Sequence, residues 1–134
     1  MGASLARRAA VIERDFLLRQ IQQAVQVLAQ VLLQKRDGTP EWQVTLAEGI
    51  AATAGTDPSR LAALGPEATL TLAHDDGTFS TEKALVLADL LRESDEQALR
   101  VRARWLYQAA LDAGGTLPLD ILDRIAALPE GDDA

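Results

Sequence analysis

A chain of 134 residues is long enough for one domain with its own core, and 48% of it is apolar, mainly Leu, Ala and Val. Aromatic residues make up only 4%, too few for a typical β-sandwich core, and Ala and Leu favour helix, so composition predicts an all-α fold. A net charge of −7 argues against nucleic acid or an anionic membrane surface as partner, since both are bound through Lys and Arg.

The chain has no cysteine, which removes disulfides, thiolate metal sites and thiol catalysis and predicts a reducing, cytoplasmic setting. No apolar run approaches the roughly 20 residues of a membrane span. The opening MGASLARRAAVIERDF contains Glu13 and Asp15 and no apolar stretch of the kind a secretory signal needs.

The first element is a long amphipathic helix over about 5–35. Leu17, Leu18, Ile21, Ala24, Val25, Leu28, Val31 and Leu32 recur at steps of three and four, with glutamines as polar complement. Asp37-Gly38 stops it, because Gly accepts the left-handed conformation that closes a helix. Thr39-Pro40 is expected to restart helicity, with Thr39 as N-cap and Pro40 in the first turn. Trp42, Leu46 and Ile50 mark the buried side of that second helix, which runs to about Gly55.

Asp57-Pro58 and Gly65-Pro66 each open a short helix, the second ending near His74. The only period-two stretch is Thr69-Leu70-Thr71-Leu72, and a further helical turn is expected near Asp76-Gly77 in preference to a hairpin. Ser80 or Thr81 caps the next helix, whose residues from Ala84 to Leu91 are apolar almost all round and so need cover on more than one side. Ser94 and Gln97 have capping-box spacing ahead of a helix that runs to about Ala113. A last helix follows Pro118 and ends at Leu128-Pro129. The expectation is one domain over 1–129, an irregular bundle of about six to seven helices, and a flexible acidic tail over 130–134.

The antiparallel pair at about 81–113 resembles one degenerate tetratricopeptide unit. Leu87 and Leu90 fit its first helix, and Ala103, Tyr107 and Ala110 fit the second. Leu91 stands where that family has a small residue, and no second copy at a 34-residue period is visible. The segment Arg14-Asp15-Phe16-Leu17-Leu18-Arg19-Gln20-Ile21-Gln22-Gln23 is similar to the opening of an uncharacterised bacterial family with a long amphipathic first helix. That family carries no assigned activity, so the resemblance implies fold and not function.

Catalytic chemistry finds little footing. His74 is the only histidine, and the adjoining Asp75-Asp76-Gly77 is first of all turn chemistry. No EF-hand spacing, phosphate loop or Gly-x-Ser-x-Gly elbow occurs. No catalytic, metal-ligating or cofactor-binding residue is therefore expected.

Two features stand above this background. On the first helix, Leu5, Ala9, Ile12, Phe16 and Val27 form a second apolar line roughly 130° from the main stripe. Leu5, Ile12, Phe16 and Val27 are thus candidates for contact with a protein partner or a second copy, in a symmetric dimer, unless the helix is enclosed by its own domain or frays before Glu13. On the later helix, Arg102 falls between two apolar faces. Either it pairs with Glu82, Asp89 or Glu93, or it anchors a partner's carboxylate in a groove beside Trp105 and Tyr107. The expected function is protein–protein interaction or oligomerisation. A small-ligand sensor with an apolar inter-helix pocket is the alternative, and a carboxylate-based helical enzyme stands last.

Overall fold

The computed structural model describes the backbone of residues 2–131 and the side chains of residues 15–131. Among these residues the chain forms seven helices and one two-stranded sheet. The last three residues of the expected acidic tail, 132–134, lie outside the described residues.

Helix α1 (Gly2–Arg36) is 35 residues long, about 52 Å at the usual helical rise. It closes as its residues dictate. Gly38 takes a φ of 71°, its N–H reaches Lys35 O at 3.1 Å, and Thr39 N–H reaches Gln34 O at 2.9 Å. This is the paired bonding of a Schellman cap. Helix α2 (Trp42–Ala54) begins later than the Thr39 cap implies. The N–H groups of Trp42 and Gln43 first close a tight turn on Thr39 O and Pro40 O, and Glu41 takes the N-cap position without a side-chain bond. Gly55, at a φ of 75°, ends α2.

Two short helices follow, α3 (Pro58–Leu61) and α4 (Pro66–Thr71), each with Pro in its first turn. Asp57 caps α3 by accepting from Arg60 N–H at 2.9 Å. The helical turn expected at Asp76-Gly77 is absent. Instead β1 (His74–Asp75) and β2 (Thr78–Phe79) pair antiparallel, His74 opposite Phe79 and Asp75 opposite Thr78. The reason is local: Asp76 and Gly77 take φ of 51° and 76°, the double left-handed step of a hairpin turn, which no α-helix continues through. Asp-Gly was the signal for it.

Helix α5 (Thr81–Leu91) is capped by Ser80, whose Oγ accepts from Lys83 N–H at 3.2 Å. Its buried residues, Ala84, Val86, Leu87, Ala88, Leu90 and Leu91, meet α1, α2 and α6 (Gln97–Ala113), so the helix that is apolar all round is covered on several sides. The capping box expected ahead of α6 does not form. Ser94 Oγ accepts from Glu96 N–H at 3.0 Å, two residues on and still in the loop, and Glu96 is the N-cap. A final short helix, α7 (Ile121–Ala126), packs on α6. Val31, Ile50, Leu61, Leu87, Leu90, Leu99, Leu106 and Tyr107 are all fully buried at the centre. Each such large side chain contributes about 1.5–3 kcal/mol by leaving water.

Candidate functional site

Helix α1 carries more apolar surface than its own domain covers. Leu17, Ala24 and Val31, spaced by seven, are buried, and Ile21 and Leu28 are half-buried beside them. Leu18, Val25 and Leu32, each the next residue along, are 41%, 51% and 47% exposed. Leu33 is also exposed. The wide stripe read from periodicity is therefore split: one edge enters the core and the other faces solvent. Gln20 Nε2 donates to Thr53 O near the end of α2, so α1 continues N-terminally past α2 for about five turns.

The second apolar line does not behave as one surface. Phe16 is 67% exposed. Val27, by contrast, is half-buried against Gly49 of α2, where it serves the chain's own α1–α2 contact. The side chains of Leu5 and Ile12 lie outside the described residues. The signal that could have found the exposed row is its strict seven-residue spacing, with Ile21 and Leu28 three residues after Leu18 and Val25, the a/d pattern of a coiled-coil seam.

On α6, Arg102 pairs with none of Glu82, Asp89 and Glu93. Its Nε and Nη2 both donate to Leu64 O, at 3.0 and 2.7 Å, and its Nη1 donates to Ala98 O at 2.8 Å. The guanidinium sits 4.8 Å from the centre of the Trp105 ring, and burial lowers its pKa. Arg102 thus holds the loop after α3 against α6 through carbonyls rather than a carboxylate. Arg100 and Arg104 work alike: Arg100 donates to Arg92 O at the end of α5, and Arg104 donates to Ile125 O and Leu128 O at the end of α7. Arg100 and Arg104 therefore satisfy carbonyls at the C-terminal ends of α5 and α7, where cations are favoured by the helix dipole, and Arg102 satisfies a loop carbonyl.

Tyr107 does not line a groove with Arg102 and Trp105. It is fully buried, on another side of α6, and its hydroxyl donates to Asp89 Oδ1. The same oxygen accepts from Arg124 Nη1 at 2.9 Å. Arg124 Nε lies 3.0 Å from Asp120 Oδ1, off the N–H direction, so that contact is ionic. Burial raises the Tyr107 pKa well above its ordinary value, with the Asp89 charge adding to it. For Arg124, burial pulls the pKa down, but Asp120 and Asp89 overcome it and the net shift is upward. The Arg124 contact in turn lowers the Asp120 pKa. The whole arrangement ties α5, α6 and α7 together.

Comparison with protein-family models, curated proteins and solved structures gives no match. Among the described residues no group of His, Asp and Glu side chains is placed to hold a metal ion, and no helix is long and apolar enough to cross a membrane. The His74 ring packs edge-on against Phe79, in the hairpin.

Proposed function

We propose that this chain is a non-catalytic interaction module that associates with a second copy through α1. The observation that carries the reading is the exposed row Leu18, Val25 and Leu32 at seven-residue spacing. Such a row is self-complementary about its middle. In an antiparallel pair of α1 helices with a two-fold axis at Val25, Leu18 of one copy meets Leu32 of the other and Val25 meets its own counterpart. Half-buried Ile21 and Leu28 would form the inner margin of that contact. The α5–α6 pair, which resembles a tetratricopeptide unit, adds weight to a protein-binding role. A cysteine-free sequence supports the cytoplasm as its place of work.

The test is solution mass by light scattering after gel filtration, on the wild type and on Val25→Glu. A residue on the axis brings like charges together, so the expected result is a wild-type dimer and a variant that is monomeric yet keeps its helical circular dichroism. A monomeric wild type would sink the proposal. Phe16→Asp is the control: it lies off the row, and if it alone dissociated the dimer, the second apolar line would be the interface instead.

A further inference from the structure

A cleft of about 250 Å3 opens between α2, the start of α3 and the α5–α6 turn. Its apolar lining comes from Trp42, Leu46 and Ile50 at four-residue steps on one face of α2, joined by Leu99 of α6. Leu46, Ile50 and Leu99 are core residues, 4%, 1% and 2% exposed, so the cleft reaches down to the core. Gln43 adds one neutral polar group from α2, and the acidic groups gather along the opposite side. Ser94, Asp95 and Glu96 line it from the α5–α6 turn, and both acidic residues are exposed. Among the described residues, neither carboxylate is in an ion pair.

Ser94 places a hydroxyl in the same wall. It is 8% exposed, and its Oγ accepts from Glu96 N–H. Among the described residues its own hydroxyl proton is given to no acceptor. Its hydroxyl hydrogen is available to an acceptor on a bound molecule. Lys35, 4.3 Å from the centre of the Trp42 ring, is paired with Glu93, 3.1 Å away. The lining therefore offers an apolar floor, an aromatic ring and negative charge, and no positive group.

We propose that this cleft binds a compact amphiphilic amine: an ammonium group held at Asp95 and Glu96, with a hydrocarbon or aromatic body against Leu46, Ile50 and Trp42. An oxygen substituent on the ligand would accept from Ser94. The volume is below the roughly 300–1,000 Å3 of sites for drug-sized ligands, which sets the size class near that of phenethylamine. Charge excludes the carboxylate analogue, because nothing in the lining compensates a second negative group. This inference does not depend on self-association of α1, whose exposed row is built from other residues.

The experiment is a fluorescence titration on Trp105→Phe, which leaves Trp42 as the only tryptophan. Phenethylamine, 2-phenylethanol and phenylacetate serve as cationic, neutral and anionic probes of one shape. Saturable quenching by phenethylamine, tighter than by 2-phenylethanol and absent with phenylacetate, is the expected result. Each exposed ion pair contributes modestly, so Asp95→Asn with Glu96→Gln should weaken the amine roughly tenfold and leave the alcohol unchanged. Because both side chains are exposed, that variant keeps its fold, which circular dichroism checks. No saturation at millimolar amine, equal binding of all three probes, or an amine affinity unmoved in the double variant would each overturn the proposal. The same titration on monomeric Val25→Glu separates it from the dimer: binding there is expected to be unchanged.

Discussion

Val27 of α1 fills the space that a side chain on Gly49 of α2 would need. A Cβ built on Gly49 would overlap Val27 Cγ1 and come within 3.3 Å of Val27 Cβ. Val is branched at Cβ and has little rotameric freedom in a helix, so it cannot swing clear. The absence of a side chain on Gly49 lets α1 approach α2 closely at this point, at the cost of weak helix propensity.

Gly49→Ala should therefore destabilise the protein. The gain in helix propensity is about 1 kcal/mol, while overpacking costs about 1–3 kcal/mol, and the severe overlap with Val27 puts the cost towards the upper end, for a net loss of up to about 2 kcal/mol. Urea denaturation measures it. The double variant Gly49→Ala with Val27→Ala should recover part of the loss, and additive effects would refute the contact.

Tyr107 predicts alkaline sensitivity. Its folded pKa is raised above the unfolded value of 10.0 by burial and by Asp89. A raised pKa means that the unfolded chain loses its proton first, so stability is fully present below about pH 10 and falls as pH rises beyond it. Tyr107→Phe should remove that component, while losing about 1–3 kcal/mol at neutral pH because Asp89 forfeits a buried donor. Thermal melts from pH 8 to 11.5 show both effects. A wild-type slope identical to that of the Phe variant would contradict the role of the hydroxyl.

Arg102 acts through geometry as well as charge. Two of its nitrogens meet one carbonyl, Leu64 O, while a third meets Ala98 O. Lysine keeps the charge but lacks the planar fork, so Arg102→Lys should still lose about 1–2 kcal/mol. Amide exchange should quicken selectively in the residues just before and after Leu64. Uniform quickening across the whole molecule would point to a general loss of core packing instead.

At the hairpin, Asp76 holds a φ of 51°, a conformation that Asp tolerates and a β-branched residue does not. Asp76→Val should cost about 1–2 kcal/mol, whereas Asp76→Gly should be close to neutral. Equal stability of the two variants would refute the strain argument.

Much of the local structure was legible in single residues. Asp57-Pro58, Gly65-Pro66, Ser80 and Gly38 each carry their instruction in a side chain, or in the lack of one, and each acts where expected. At the hairpin the sequence reads instead as a helical turn: Asp76-Gly77 carries the hairpin signal, but the alternation flanking it is too short to suggest strands. Ser94 is the opposite case: capping-box spacing was present, but the helix begins two residues later than that spacing implies.

What the sequence by itself determined is the all-helical architecture, because propensity, periodicity and caps are properties of neighbours along the chain. Only the tertiary structure decided which part of the α1 stripe is covered. Leu17 and Leu18 are adjacent, equally apolar and about 100° apart on one helix, yet one is buried and the other exposed. Periodicity gives an angle about a helix's own axis and says nothing of what stands at that angle. The same limit hid the partners of Arg102 and Tyr107, since a carbonyl at Leu64 and a carboxylate at Asp89 come within reach only when separate helices pack.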